Sequence, residues 1–549
     1  MKRNKILTIL GIGLILALNV PGNAANNVKP DSICTHRIVR DADGKLLSWY
    51  KPETNGAGYD QVVKLASEFL KNVLPTDPKT GLKLYYLFCE IDGPESGKSS
   101  YSGRGGSNNP ACVFAGLTES LAVKYRIYSG DESYLKIVRD CLDHMIQHGS
   151  APSEWLWGNC PYSSATNEAT EYNGSGDFGN GGGDGKYFLE PDKVGEMGVA
   201  YLQFYEITEE PVYLKAALNC ADALAKNVRE GNYTQSPWPF RVHARTGAIS
   251  EEYCSNVLPP VKLFDELVRI QSQAQLPDDA VTRYKKARDK AWKWLFSWHG
   301  SMKTFVWKAY FEDVEYDAIN ENRVQVTPME VARYLIQHPE LDPYYKENVT
   351  ALIHWCNSVF GTQAALGYNA QCEQLKCMTP MGSHTARYAS VCAMWYALEK
   401  SEWYKNEAFE NFNWATYCTS KSGFVSVGSE WMAAWFSDGY SDYIKHFLDG
   451  MAAIPEWAPA GENHLLGSTG IVQQINYDTK NIVYRTFLPA STEVLRLTSL
   501  PKQITVDGKV LKRMDNLTTG EGWKWEKLKD GGILHVNHLS GRKVEVINQ

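Results

Sequence analysis

The sequence predicts a mainly α protein: a closed ring of six helical hairpins followed by a small antiparallel β domain. Three observations carry that prediction. Apolar residues recur at helical spacing in twelve segments between Gly58 and Met451. A hairpin signature repeats along those segments. After about Leu466 the apolar period changes from helical to two.

The chain begins with a basic stretch (Lys2, Arg3, Lys5), an apolar run from Ile6 to Val20 and a small-residue exit at Gly22-Asn23-Ala24. That is the pattern of a secretory signal peptide over residues 1–24, with an apolar part too short and wrongly flanked for a retained membrane span. No cysteine sits at the expected cleavage point, so no lipid anchor is expected. The mature protein is expected to be secreted or periplasmic, without membrane insertion. Residues 25–57 form an N-terminal segment before the first helix.

Composition narrows the partners. The chain is 44% apolar, as an ordinary globular protein is, and its net charge of −7 comes from mixed charges rather than an acidic tail. With no basic stripe, nucleic acid is not an expected partner. The 17 tryptophans and 31 tyrosines serve mostly helix packing, but a few would suffice as sugar-stacking platforms.

The helical segments run Gly58 to Asn72, Ala111 to Tyr128, Ser133 to Gln147, Val194 to Ile207, Val212 to Val228, Asn256 to Gln273, Ala280 to Trp298, Thr327 to Gln337, Pro343 to Phe360, His384 to Lys400, Trp403 to Tyr417 and Ser429 to Met451. Tyr128 to Leu142 (YSGDESYLKIVRDCL) resembles Ile207 to Ala221 (ITEEPVYLKAALNCA). Fainter copies open helices at Tyr284, Tyr345 and Tyr404, about 60 to 80 residues apart. A helix-pair repeat without free strands must bury each apolar face against its neighbours, so residues 58–465 are expected to close into a ring. Turns such as Thr208 to Pro211 are short, whereas the loops leading into the other helix of each pair are long and rich in glycine, aromatics and carboxylates. One rim is plain and the other is elaborated, which is where function usually sits.

Residues 466–549 read as a β-sandwich-like accessory domain. Its strands are expected at Ile471 to Ile475, Ile482 to Phe487, Thr492 to Leu497, Gln503 to Val506, Ile533 to Asn537 and Val544 to Ile547, with turns at Asp478 to Asn481 and Asp507-Gly508. Of the twelve cysteines, Cys141, Cys220, Cys356 and Cys392 fall on apolar helical positions and read as buried thiols. Cys372 and Cys377 are the expected bridge. With no further paired cysteines and no HExxH pattern, neither a metal nor a cofactor is expected.

With its six hairpins, signal peptide and β tail, the chain resembles the six-hairpin, or (α/α)6-barrel, carbohydrate-active enzymes, a group spanning glycoside hydrolases, unsaturated-uronyl hydrolases, polysaccharide lyases and sugar epimerases. The resemblance covers roughly Gly58 to Met451. It implies an (α/α)6 toroid, a saccharide substrate and a site on the elaborated rim; it fixes no catalytic residue, because fold does not fix reaction.

Candidate chemistry on that rim comes loop by loop. Arg104 and Asn108-Asn109 precede the second helix and suit sugar hydroxyls or a plain glycine-rich turn. Asp177, Asp184, Glu190, Asp192 and Glu196 crowd the next loop and helix start. A glycosidase needs two facing carboxyl groups, one protonated and one ionised. Asp192 also suits the positive end of a helix dipole, an explanation that fits Glu196, one turn further in, less well. Gly174, Gly176 and Gly179 match GxGxxG but lack the strand and helix that a dinucleotide site needs. The third loop reads as a β-hairpin around Arg245-Thr246-Gly247 with Arg241 and His243 as substrate-binding candidates. Glu251 or Glu252 is the opposing carboxylate there, at most one of them facing the site. Glu312, Asp313, Glu315 and Asp317 compete for the same role. His384, Arg387 and Tyr388 stand at i, i+3 and i+4, hence on one helix face, and suit proton removal beside a uronate carboxylate clamped by arginine. Glu430 and Trp431 open the last helix, with Trp431 as a sugar platform; Glu462 and His464 follow.

The function these features support is that of an exported glycoside hydrolase on uronic-acid-containing saccharides, with Glu196 and one of Glu251 or Glu252 as the carboxyl pair. The alternatives are a uronate lyase or epimerase using His384, Arg387 and Tyr388, and a non-catalytic glycan-binding protein.

Overall fold

The computed structural model describes residues 31–78, 80–83, 90–103, 109–166, 171–174, 186–297, 322–365, 367–435, 439–478, 480–517 and 520–548. Each of the twelve expected segments contains a helix. These are α1 (Ala57–Glu68), α2 (Pro110–Leu117), α3 (Tyr134–His148), α4 (Pro191–Thr208), α5 (Pro211–Asn227), α6 (Leu258–Arg269), α7 (Asp278–Phe296), α8 (Val326–Gln337), α9 (Tyr345–Phe360), α10 (Gly382–Glu399), α11 (Glu402–Thr416) and α12 (Tyr440–Ala453). Proline lies in the first turn of α2, α4, α5, α6 and α8, where its missing N–H forfeits no intrahelical bond. A π-helical stretch, Thr118–Tyr125, and a last α-helical turn, Arg126–Ser129, carry α2 onward.

The even-numbered helices form an inner layer. α2 packs on α4, α4 on α6, α6 on α8, α8 on α10 and α10 on α12, and α12 returns to α2 and its π-helical extension. Each odd-numbered helix backs a neighbour in the chain, while α1 backs α12. Inner helices are apolar on more than one side because they are covered on more than one side. The first twelve residues of α10, Gly382 to Ala393, are all buried.

The repeated tyrosine now has a physical reason. Tyr134 on α3 donates to Glu68 at 3.3 Å, Tyr213 on α5 to Asp143 on α3 at 2.7 Å, and Tyr284 on α7 to Asp222 on α5 at 2.8 Å. Each ring packs on an aromatic of the inner layer, Tyr134 on Tyr125, Tyr213 on Phe204 and Tyr284 on Phe264, while its hydroxyl ties it to the outer helix before. Among the described residues, no helix is long and apolar enough to cross a membrane.

From His464 the chain builds two facing sheets. The strands are β1 (His464–Ser468), β2 (Val472–Tyr477), β3 (Asn481–Thr486), β4 (Ser491–Leu497), β5 (Gln503–Val506), β6 (Lys509–Val510), β7 (Gly522–Lys527), β8 (Gly532–His538) and β9 (Lys543–Ile547). One sheet has the order β1-β4-β8-β7, the other β2-β3-β9-β5-β6. Asp507 and Gly508 both take positive φ in the two-residue turn between β5 and β6. The strands β1, β6 and β7 escaped the sequence reading. β7 (GWKWEK) places Trp523 in the core but alternates it with long charged side chains, and β6 is two exposed residues.

Arg126 fastens the sandwich to the ring. Buried at the end of the α2 extension, its guanidinium donates to the carbonyl oxygens of Val472 and Gln473 and to Glu132 at 2.9 Å. Ile127 enters the sandwich core, and His464 stacks on Tyr128 at 4.0 Å. Arg126→Ala strands two buried carbonyls, for which about 2–4 kcal/mol is expected at this junction. Calorimetry of the full chain should then show the sandwich melting ahead of the ring; a single unshifted transition would contradict the assignment.

Two local expectations are corrected. The stretch expected to start the last helix at Ser429 is not helical in its described residues: Ala434–Trp435 pairs with Glu90–Ile91, and α12 begins only at Tyr440. The Cys372–Cys377 bridge is absent, and Cys372 is a buried thiol. Strand pairing sets Cys377 opposite Gln374 and Cys372 opposite Pro380, so the two are not cross-strand partners. Cys141, Cys220, Cys356 and Cys392 are buried thiols, as expected.

Candidate active site

The first turns of the inner helices open on one cavity of about 270 Å³ at the elaborated rim. Helical spacing decides what reaches it. On α4, Asp192, Glu196, Val199, Ala200 and Gln203 recur every three or four residues and line one wall. By the same rule Thr327 and Glu330 come from α8, and Ser441, Asp442 and Lys445 from α12. Glu119 comes from the π-helical extension of α2, Lys262 from α6 and Arg387 from α10. Glu90, Phe240, Asn256, Glu373, Trp431 and Trp435 complete the mouth. Trp431 and Trp435 lie 5.5 Å apart, tilted by 37°.

The floor is an ion-pair layer. Lys445 is 2.9 Å from Asp442 and 3.4 Å from Glu119; Lys262 is 3.4 Å from Glu330; Arg387 bonds Asp442 and lies 3.5 Å from Glu330. Burial by itself raises both glutamates, but the surrounding cations outweigh it. Lys445, Arg333 and Lys262 hold Glu330 well below the usual carboxylate range, and Lys445, Lys124 and Lys262 lower Glu119. Beneath them Arg333, Lys124, Asp449 and His446 close the axis. Arg333 is 2.5 Å from Asp449 and 2.7 Å from His446 Nδ1.

Glu196 behaves in the opposite way. Burial at the cavity wall raises its carboxyl, Lys193 at 3.3 Å opposes the shift, and the negative charges of Asp192 and Asp442 add to it. Its side chain is still 24% exposed, through the cavity. One glutamate held toward the neutral acid among glutamates held ionised is the electrostatic division that acid–base work requires.

The other sequence candidates are placed as follows. Asp192 lines the cavity and accepts from Asn256 at 3.1 Å. Arg241 is buried between Glu190 and Glu251, 3.4 Å from each, and stacks over Phe240. Strand alternation does separate Glu251 from Glu252, but Glu251 turns inward to Arg241 and Glu252 outward to Arg229, so neither lines the cavity. The pairing of Glu196 with Glu251 or Glu252 is therefore not what the fold assembles. His243 accepts the N–H groups of Arg245 and Thr246 in the hairpin turn, outside the cavity lining. Glu430 is exposed, and Trp431 lines the cavity from a non-helical stretch. Arg104, Asn108, Gly176, Gly179, Asp177, Asp184, Glu312, Asp313, Glu315 and Asp317 lie outside the described residues.

The shared face expected for His384, Arg387 and Tyr388 is divided. Arg387 reaches the cavity, and His384 lies behind it. Because a guanidinium only donates, its 2.7 Å bond to His384 Nδ1 puts the imidazole proton on Nε2, toward Glu373. Tyr388 turns away to Glu407 on α11 at 3.2 Å. An arc of i to i+4 spans the boundary between two neighbours when a helix is buried on all sides. Tyr388→Phe is accordingly expected to leave turnover within about twofold and to cost about 1 kcal/mol of stability, seen by comparing kcat/KM with the melting temperature. Glu119, Lys262, Glu330, Lys445 and Asp442 line the cavity without having been singled out from the sequence, and Asp442 is the one that faces Glu196. The signal for Asp442, an acid in the first turn with Lys445 and His446 at i+3 and i+4, was hidden by starting the helix at Ser429.

No protein-family model and no curated protein matches the chain. Among solved structures, cellobiose 2-epimerase from Spirochaeta thermophila superposes with a TM-score of 0.51 at 10% identity, over 72% of this chain and 97% of that one. The helical domain is a six-hairpin fold. A sugar epimerase from a ruminal bacterium (TM-score 0.48, 11% identity, 71% of this chain and 98% of that one) and a family 76 glycoside hydrolase from a bovine Bacteroides thetaiotaomicron strain (0.47, 11%, 76% and 83%) are also similar. At 10% identity what the helical domain shares with the cellobiose 2-epimerase is its fold.

Proposed function

We propose that this protein is an exported carbohydrate-active enzyme, a glycoside hydrolase in which Glu196 is the general acid and Asp442 the opposing carboxylate. The observation that carries this reading is the pairing itself. Glu196 and Asp442 face one cavity from different inner helices, Glu196 raised in part by the charge of Asp442, and Asp442 seated against Arg387 and Lys445. Glu196 delivers its proton to the departing glycosidic oxygen. Asp442 acts on the anomeric side, as base or nucleophile. Trp431, Trp435 and Phe240 supply flat apolar surface for sugar rings at the mouth.

The charge of the lining favours a neutral saccharide over the uronate expected from Arg387. Among the described lining residues seven are carboxylates and four are cations, and Arg387 is engaged by Asp442 and Glu330. Elimination or epimerisation through His384 and Tyr388 has less support, since no histidine or tyrosine is among the described lining residues. The test is a panel of neutral and uronate-containing oligosaccharides, with reducing ends, ultraviolet absorbance of a new double bond and C2 stereochemistry followed together. Release of reducing ends from neutral members is expected. Absorbance or epimer without cleavage would replace the hydrolase reading, and binding without chemical change would leave a glycan-binding protein.

A further inference from the structure

We propose that the rim carries a second saccharide-binding platform, formed by Trp155, Tyr187 and His243, which holds the distal units of an oligosaccharide whose reacting end lies in the cavity. It rests on the saccharide reading above and extends it to substrate length.

Tyr187 is the anomaly that points there. Its φ of 74° is a left-handed conformation that an aromatic residue rarely adopts, and the residue is 39% exposed. Two hydrogen bonds hold that backbone: Tyr187 N–H donates to Asn173 O, and its carbonyl accepts from Ala244 N–H, both at 2.7 Å. Strain of this kind persists where surrounding structure imposes it, and it clusters at ligand clamps. Here it keeps a tyrosine ring at the surface.

The neighbours complete a preformed surface from three separate stretches of chain. Trp155 meets Tyr187 edge-on at 5.0 Å and lies nearly parallel to His243, 24° apart in plane and 6.4 Å between centroids. Trp157 N–H donates to Ala244 O at 3.0 Å, which pins the tryptophan loop to the hairpin. His243 Nδ1 accepts from the turn, so the neutral ring presents Nε2–H as a donor. Aromatic faces with polar tips suit a pyranose, which offers a C–H face and a hydroxyl edge.

A short strand links the platform to the cavity. Phe188 pairs with His243 in register; Phe240, three residues before His243, lines the cavity, and so does Asp192, five residues after Tyr187. At about 3.3 Å per extended residue the two surfaces lie roughly 10 Å apart, the reach of a few linked sugar units.

The experiment uses Glu196→Gln full-length protein, to prevent turnover, and ladders of gluco- and manno-oligosaccharides of two to six units, with affinity read by calorimetry. Affinity is expected to climb with length. Adding Trp155→Ala or Tyr187→Ala should weaken the longer ligands about five- to tenfold and leave disaccharides within about twofold, while Tyr187→Phe keeps the length dependence. Equal loss at every length, or no length dependence in the parent, overturns the platform, as does failure of every ladder member to bind. Wild-type turnover of the ladder without length dependence overturns the platform alone. Length-dependent binding without any turnover sustains the platform and overturns the hydrolase.

Discussion

Glu196→Gln is expected to lower kcat/KM on the saccharide substrate by about a thousandfold, within the range that general acid–base groups contribute, with the fold retained. Glutamine keeps the size and hydrogen-bonding reach of the side chain but has no proton to transfer. The pH profile separates this role from a structural one. A general acid must be protonated, and burial together with Asp192 and Asp442 raises the Glu196 carboxyl above the ordinary value of 4.5. Activity is therefore lost as pH rises through that raised value. Lys193 opposes the shift from 3.3 Å, so Lys193→Met should raise it further and move the alkaline limb of kcat/KM to higher pH. An alkaline limb that stays in place in Lys193→Met, or survives in Glu196→Gln, would remove Glu196 from the mechanism.

Arg333→Met is expected to have the largest effect on stability. Arg333 is buried beneath the cavity floor, where it donates to Asp449 at 2.5 Å, to Ser390 at 2.6 Å and to His446 at 2.7 Å, and lies 3.6 Å from Glu330. Removing one partner of a buried ion pair leaves the other charge uncompensated, a loss of about 3–5 kcal/mol. Part should return in the double variant Arg333→Met/Asp449→Asn, where the stranded charge is also gone. Calorimetry of the full chain reads both, and a single-variant transition within a degree of wild type would refute the assignment.

The same site sets a pH dependence. Burial, Arg333 and Lys445 hold His446 well below its ordinary value of 6.5, so the folded protein prefers the neutral ring. This contribution is complete above about pH 6.5 and is lost as pH falls toward the depressed folded value, since the unfolded chain takes up the proton first. Removing the Arg333 charge relieves part of the depression. The acid loss of stability in Arg333→Met should accordingly be shallower than in wild type.

Local pattern was enough to order the twelve helices and six of the nine sandwich strands. Twelve helices are legible because an amphipathic helix between two others must repeat its apolar residues every three or four positions, and the change of period near Leu466 marks the sandwich for the same local reason. Asp192 and Glu196 share a face by spacing alone, and the adjacency of Glu251 and Glu252 already required them to part. Tertiary structure decided which direction those faces point. Glu251 meets the cation of Arg241 before it can meet a substrate, and Tyr388 turns to Glu407 because α10 is buried on every side and periodicity cannot rank its neighbours. Asp442 joins Glu196 across residues that are far apart in the chain, and the raised carboxyl of Glu196 depends on burial and on Asp442 at once. Such shifts arise from distance and dielectric, which spacing along a chain does not encode.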